Sequence, residues 1–248
     1  NEFETIANNL DQPFADSSIF PMYQVTKEAR KDITVALSGD GGDELFSGYG
    51  HYDSFDLESK IRNKIPHSYL KILASFSQYL PNRQKLDFLK RFKYENIFKS
   101  FSEHSSRFFN EHERKNLFSK DLNFKLNQDY AFEKMICLNS NWIDNVTKID
   151  FQNYMVDDIL VKVDRMSMLN SLEIRCPILD FRIAELTFQK IKSSLKRRNN
   201  VKKYILKQLA KRYLPKNFDY ERKHGFGVPL SSWFDETLSE RLKQIFYR

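Results

Sequence analysis

The chain has 248 residues, 41% hydrophobic and 29% charged, an ordinary balance for a soluble globular protein long enough to build a large core in one domain or two. It contains no apolar run near the roughly 20 residues of a membrane span and no signal-peptide pattern at its start, which argues against a membrane protein and favours the cytoplasm. The formal net charge is +7, but its distribution is uneven: residues 1–50 hold three basic and nine acidic side chains, whereas Lys190 to Lys223 holds thirteen Lys or Arg against only Asp219 and Glu221. Such a basic run reads either as a solvated helix face or as a site for phosphates.

In chain order, Asn1 to Leu10 reads as the end of a helix, with Phe3, Ile6, Ala7 and Leu10 at three- and four-residue spacing. A loop follows over Asp11 to Ser18. Ser17 or Ser18 is placed to cap a second helix that carries Pro21 in its first turn and runs to about Lys31. Ile33 to Leu37 then reads as a strand buried on both faces, the habit of a parallel sheet covered by helices. Immediately after it comes the turn Ser38-Gly39-Asp40-Gly41-Gly42-Asp43-Glu44, entering a helix or turn over Leu45 to Tyr52.

A parallel strand needs neighbours to satisfy its ladder. The best downstream candidate, Leu122 to Leu126, is short and flanked by Asn and Lys, so the neighbouring strands are expected upstream of Asn1. From Asp53 onward the pattern is helical. Ser68 to Leu80 carries Leu70, Leu73, Phe76 and Leu80 at helical spacing between Pro66 and Pro81. Asp87 to Phe118 reads as two or three short helices, and Lys134 to Asn170 as a longer one interrupted near Ser140 to Asn145. Phe181 to Lys190, Val201 to Tyr213 with Asn200 as its cap, and Ser231 to Phe246 complete the set. The predicted fold class is therefore mostly α with a remnant of parallel sheet, organised as an α/β part over residues 1–52 and a helical part over 53–248.

Several chemistries find no support. His51, His67, His104, His112 and His224 show no HxxH or HExxH spacing, and Cys137 and Cys176 lie far apart without a CxxC partner, so buried thiols are the better reading than a disulfide or a zinc site. There is no GxSxG elbow, and the glycines at 39 to 42 have the wrong spacing for a dinucleotide loop. What remains is the acidic turn at the carboxyl end of a strand, where α/β sheets bind ligands. Asp40, Asp43 and Glu44 repel one another unless something positive compensates. Mg²⁺, which is held by one or two carboxylates together with phosphate oxygens, is the natural candidate; a merely solvated turn at a helix start is the alternative.

Five blocks carry a resemblance. Asp11-Gln12-Pro13-Phe14-Ala15-Asp16-Ser17-Ser18, Val35 to Tyr49, Asp157 to Met168, Ser171 to Asp180 and Lys223-His224-Gly225-Phe226-Gly227-Val228-Pro229 are similar, in this order, to the signature blocks of the glutamine-hydrolysing asparagine synthetase family. They span most of the chain, and only residues 53–145 lack a block. The resemblance implies the helical C-terminal part of an adenine nucleotide α-hydrolase-like synthetase domain, in which Mg-ATP adenylates a carboxylate, pyrophosphate leaves, and ammonia from glutamine gives the amide. Aspartate is the default carboxylate.

By motif, Ser38 and Gly39 are implied at the nucleotide, with Arg165 and Arg175 positioning phosphate and substrate. Asp43 would hold Mg²⁺, Asp40 or Glu44 would lie near substrate or ammonia, and Lys223 would stabilise the adenylation transition state. The family's Ser-Gly-Gly-x-Asp-Ser phosphate loop and the N-terminal cysteine of its glutaminase domain are absent from these residues. The expectation is therefore a fragment that is inactive alone and partners an upstream phosphate-loop strand and a glutaminase domain, with a homodimer also considered. The rival readings are an amidotransferase acting on a sugar or other carboxylate acceptor, and a basic protein that binds nucleic acid or an acidic partner.

Overall fold

The computed structural model describes residues 2–76, 88–97, 99–101, 141–220, 227–229, 240 and 243–244. Described residues are mostly helical, and none of their helices is long and apolar enough to cross a membrane. The candidate strand at Leu122 to Leu126, most of the expected helix over Ser231 to Phe246, Cys137 and Lys223 lie outside them. The chain divides into two compact units, each drawing on both sides of residue 52: Asn1–Asp40 with Met155–Pro177 and Pro215–Arg248, and Gly41–Tyr154 with Ile178–Leu214.

In the first unit, α1 (Glu2–Asn8) and α2 (Ile19–Ala29) form where the apolar spacing predicts them. Ile6, Ile19, Tyr23 and Met166 make the buried cluster, with Leu10, Phe14, Phe20, Met22 and Leu169 packed around it. Each such apolar side chain contributes about 1.5–3 kcal/mol on burial. Ser18 precedes α2 but does not cap it with its side chain. Its N–H and hydroxyl instead donate to Asp16, at 2.9 and 2.7 Å, so the aspartate orders the turn. After a π-helical turn at Met155–Leu160 comes α7 (Val161–Leu169), which packs on α2. The buried Thr26 hydroxyl donates to the Met166 carbonyl at 3.1 Å, and the Asn170 amide donates to the Tyr23 carbonyl at 3.1 Å, which satisfies polar groups that the contact removes from water.

The strand prediction needs correction. β1 is Val35–Leu37, shorter than Ile33 to Leu37, and its neighbour lies in this chain: β2 (Glu173–Arg175) pairs with it in parallel, Ala36 opposite Ile174. Glu173 N–H donates to the Thr34 carbonyl at 2.9 Å and Ser38 N–H to the Arg175 carbonyl at 2.8 Å, extending the ladder at both ends. A three-residue strand with a charge at each end leaves no periodic signal. Nor is β1 buried on both faces, since Leu37 is 75% and Val35 41% exposed. Among the described residues the sheet consists of these two strands.

The second unit comprises α3 (Gly42–Phe46), α4 (Tyr52–Arg62), α5 (His67–Phe76), a 3₁₀ turn at Arg91–Lys93, α6 (Trp142–Gln152), α8 (Phe181–Gln189), α9 (Ser193–Lys196) and α10 (Tyr204–Tyr213). One core gathers Tyr52, Phe55, Ile97, Phe101, Val146 and Ile149, and a second gathers Leu70, Ala74 and Phe92. On α5 the buried pair is Leu70 with Ala74, an i,i+4 stripe, whereas Leu73 and Phe76 of the predicted face are exposed. Asn141 caps α6 by accepting from Ile143 N–H at 3.0 Å, which puts a helix start inside the expected break at 140 to 145. A further break at Asn153, before the π-helical turn, left no sequence signal.

Candidate functional site

The chain leaves β1 through Ser38, whose hydroxyl donates to Asp40 at 2.5 Å, while Asp40 N–H donates back to the Ser38 oxygen at 3.3 Å. This local closure holds Asp40 against the strand end. The Cys176 thiol, just past β2, lies 4.0 Å from the same carboxylate. Burial pushes that thiol above its ordinary range and the Asp40 charge adds to the effect, so Cys176 stays protonated and weakly nucleophilic. It is half-buried rather than buried. A Cβ on Gly39 would meet nothing within 4 Å, so no side-chain crowding demands glycine there.

Arg175 projects from β2 and pairs with Glu173 at 2.7 Å, both well exposed. Arg165, on α7, pairs with Asp11 at 2.8 Å. One turn earlier Lys162, nearly buried, donates to Asp16 and to the Ser18 hydroxyl at 2.7 Å, with Asp158 at 3.7 Å. Burial raises the Asp16 carboxyl, but the Lys162 ammonium and the two bonds from Ser18 outweigh it and hold it at about 2. Two of the sequence blocks, Asp11 to Ser18 and Asp157 to Met168, are thus tied together by two ion pairs.

Gly41 and the residues after it belong to the second unit. Gly41 is left-handed at φ 88, and a Cβ there would overlap the Leu179 side chain, so the turn requires glycine twice over. The backbone then winds into α3, which carries Asp43 and Glu44. Glu44 is buried, with Tyr49 donating its hydroxyl to the carboxylate. Burial raises the Glu44 carboxyl against that bond, and Asp43 and Asp150 raise it further. The Tyr49 hydroxyl is likewise raised by burial and the neighbouring carboxylate. Beside them Tyr52 donates to Asp150, and His51 stacks on Tyr49 at 5.3 Å.

Asp43 faces Lys203, with Nζ 3.0 Å from Oδ1. A Cβ on Gly48 would overlap both Asp43 Oδ1 and Lys203 Cε, so a glycine is needed for the pair to close. Lys203 was not singled out by the sequence reading, which saw it only as one cation in a basic run. Its neighbours in that run are also spoken for. Lys196, fully buried, bonds Asp144 at 2.9 Å, while Arg197 and Lys202 both pair with Asp53. The run is therefore neither a simple solvated face nor an open phosphate patch over these four residues.

The structure thus brings Ser38 and Asp40 together within one unit, and Asp43, Glu44 and Lys203 within the other; Arg165 and Arg175 are ion-paired with their own neighbours, and Lys223 lies outside the described residues. Among the described residues no group of three or more His, Cys, Asp or Glu side chains is arranged to hold a metal ion. Asp43 offers one carboxylate. That donor set fits Mg²⁺ carried by a nucleotide, which takes its remaining ligands from phosphate and water, and does not fit a closed protein cage.

The chain matches the Asparagine synthase family over residues 1–248. It is 33% identical over 252 residues to asparagine synthetase [glutamine-hydrolyzing] 1 of Bacillus subtilis (strain 168), an alignment covering 99% of this chain and 38% of the relative. It is 29% identical over 235 residues to a putative asparagine synthetase [glutamine-hydrolyzing] of Mycobacterium bovis, covering 90% of this chain and 34% of the relative. A third, putative asparagine synthetase [glutamine-hydrolyzing] 2 of Methanocaldococcus jannaschii, is 33% identical over 166 residues, 64% of this chain and 30% of its own length. The chain therefore spans well under half the length of these relatives. No solved structure matches it.

Proposed function

The chain belongs to the asparagine synthase family, and from that premise we propose that it is part of an ATP-dependent amide-forming ligase that adenylates a carboxylate, aspartate by default, and transfers glutamine-derived ammonia to it. The observation that carries the reading is the Asp43–Lys203 pair, 3.0 Å apart and closed over the bare backbone of Gly48. A carboxylate able to take a metal and an ammonium able to face phosphoryl oxygens then occupy one place, as the release of pyrophosphate demands.

Asp43 would hold Mg²⁺, which when bound supplies charge neutralisation on the phosphoryl oxygens. Lys203 holds a fixed positive charge beside it, aimed where negative charge develops and so worth most in the transition state. Ser38 and Gly39 are assigned to the nucleotide, Arg165 and Arg175 to phosphate and substrate positioning, and Lys223 to the transition state, all on motif. Asp40 is assigned to substrate or ammonia. Glu44, buried and bonded by Tyr49, suits a supporting role beneath Asp43 better than direct contact with substrate. The phosphate loop and the glutaminase are assigned to parts of the intact protein other than these residues.

The nucleic-acid reading loses support because Lys196, Arg197, Lys202 and Lys203 are each committed to a carboxylate. The test is ATP–pyrophosphate exchange in the intact protein. Asp43→Asn and Lys223→Ala should each reduce it by about a hundredfold or more. Exchange at the parental rate in both variants would sink the assignment.

A further inference from the structure

Between α9 and α10 the chain makes a two-residue hairpin. Arg198 N–H donates to the Val201 carbonyl at 3.1 Å and Val201 N–H returns to the Arg198 carbonyl at 2.8 Å, an antiparallel bridge around Asn199 and Asn200. Both asparagines are left-handed, at φ 49 and 64, as the mirror-image hairpin turn requires and as asparagine tolerates. Lys203 is left-handed too, at φ 52, immediately before α10. A lysine lacks the short polar side chain that eases this conformation, so it persists only where its surroundings over-determine it.

Those surroundings are one carboxylate with two cations on it. Asp53, on α4, takes Arg197 on Oδ1 and Lys202 Nζ on Oδ2 at 3.0 Å, one cation from each side of the turn. Arg197 is almost wholly buried there. A Cβ on Gly48 would overlap Lys203 Cε, so that glycine of the loop before α4 admits the lysine, whereas a Cβ on Gly50 would only touch Lys202 Nζ at 3.5 Å.

We infer that Asp53 is a positioning residue for the proposed ligase: through Arg197 and Lys202 it grips both sides of the hairpin, and the gripped hairpin forces Lys203 into the left-handed conformation that brings its ammonium to Asp43. The inference rests on the ligase reading for its functional consequence, but the clamp has a readout of its own. Asp53 does not touch the reacting atoms; it acts on them through Lys203.

Two measurements on the intact protein test this. The first is acetylation of lysines by acetic anhydride, followed by mass spectrometry. Asp53→Asn, which keeps the shape of the side chain, should speed labelling of Lys203 by about fivefold, the scale of a partly exposed ion pair, while Lys27 in the other unit labels at its parental rate. Lys202→Met, which leaves Arg197 on Asp53, should give a smaller rise and guards against a folding defect in the first variant. Unchanged labelling of Lys203 in both variants overturns the clamp.

The second measurement is a double-mutant cycle in ATP–pyrophosphate exchange. Lys203→Met should slow exchange about a hundredfold and Asp53→Asn about tenfold, as for a group that orients a functional side chain. If Asp53 acts through Lys203, the double variant is no slower than Lys203→Met alone. Multiplying losses would assign Asp53 a merely structural role and overturn the inference. Faster Lys203 labelling together with parental exchange in Lys203→Met would keep the clamp and sink the ligase reading of the pair.

Discussion

Lys162 with Asp16 and Lys203 with Asp43 are chemically the same pair, and each joins segments remote in sequence, yet their settings differ. Lys162 sits on regular helix, nearly buried, with Asp16, the Ser18 hydroxyl and Asp158 around its ammonium. Lys203 sits on left-handed backbone, its side chain 30% exposed, and is held from behind by two cations on Asp53. The first arrangement surrounds an ammonium with two hydrogen bonds and a further carboxylate and ties two blocks together. The second keeps a charge in a partly wet place, at the expense of backbone strain, where a ligand's phosphates could reach it. The difference in desolvation and backbone is the ground on which the first pair is read as structural and the second is assigned to the proposed ligase chemistry.

The contrast breaks most visibly on the first pair. Lys162→Met leaves Asp16 partly buried without its cation and should cost about 3 kcal/mol of stability, read as a lower denaturation midpoint at unchanged slope. ATP–pyrophosphate exchange at temperatures where the variant stays folded should be close to parental. A variant of full stability that has lost exchange would reverse the roles given to the two pairs. Asp43→Asn is the mirror experiment, with an expected loss of about a hundredfold in exchange, about 2.7 kcal/mol of barrier, and a denaturation midpoint that does not move.

Gly48→Ala sharpens the comparison with a smaller step. Its Cβ would push Asp43 and Lys203 apart while the backbone there needs no left-handed conformation, so exchange should fall about tenfold with little change in stability. An unaffected exchange rate would mean that closure of the pair is immaterial. The smallest effect concerns acid. The Asp16 carboxyl lies at about 2 in the fold against an ordinary 3.8, so its contribution is fully present above about pH 4 and is lost as the pH falls towards 2. The parental protein should lose stability over that window more steeply than Lys162→Met, which has already forfeited the pair. Equal slopes would remove Lys162 as the cause.

Much of the local structure was legible because apolar spacing is a local signal. α1, α2, α5, α8 and most of α10 fall where Ile6, Tyr23, Leu70, Phe181 and Leu206 predict helices. β2 escaped because Glu173-Ile174-Arg175 is too short to alternate. Asn200 was misread for a related reason: asparagine serves both helix caps and left-handed turns, and only the bridge between Arg198 and Val201 chose the turn, moving the helix start to Tyr204. Ser18 offered a cap and instead serves Asp16. At the candidate site, Asp40, Asp43 and Glu44 were visible as a cluster, but their different fates, closed against Ser38, paired with Lys203 and buried beneath Tyr49, were not.

The amino-acid sequence by itself determined the helical character, the positions of most helices among the described residues, the family and the turn on which its chemistry would centre, because spacing and block order are properties of the linear chain. Only the tertiary structure decided which cation answers which carboxylate, that Ile174 gives Ala36 its strand neighbour, and that Gly41 and Gly48 are needed for close approach while Gly39 is not. Coulomb attraction and steric overlap depend on separations of a few ångströms in space, and local periodicity carries no record of a partner from a distant segment.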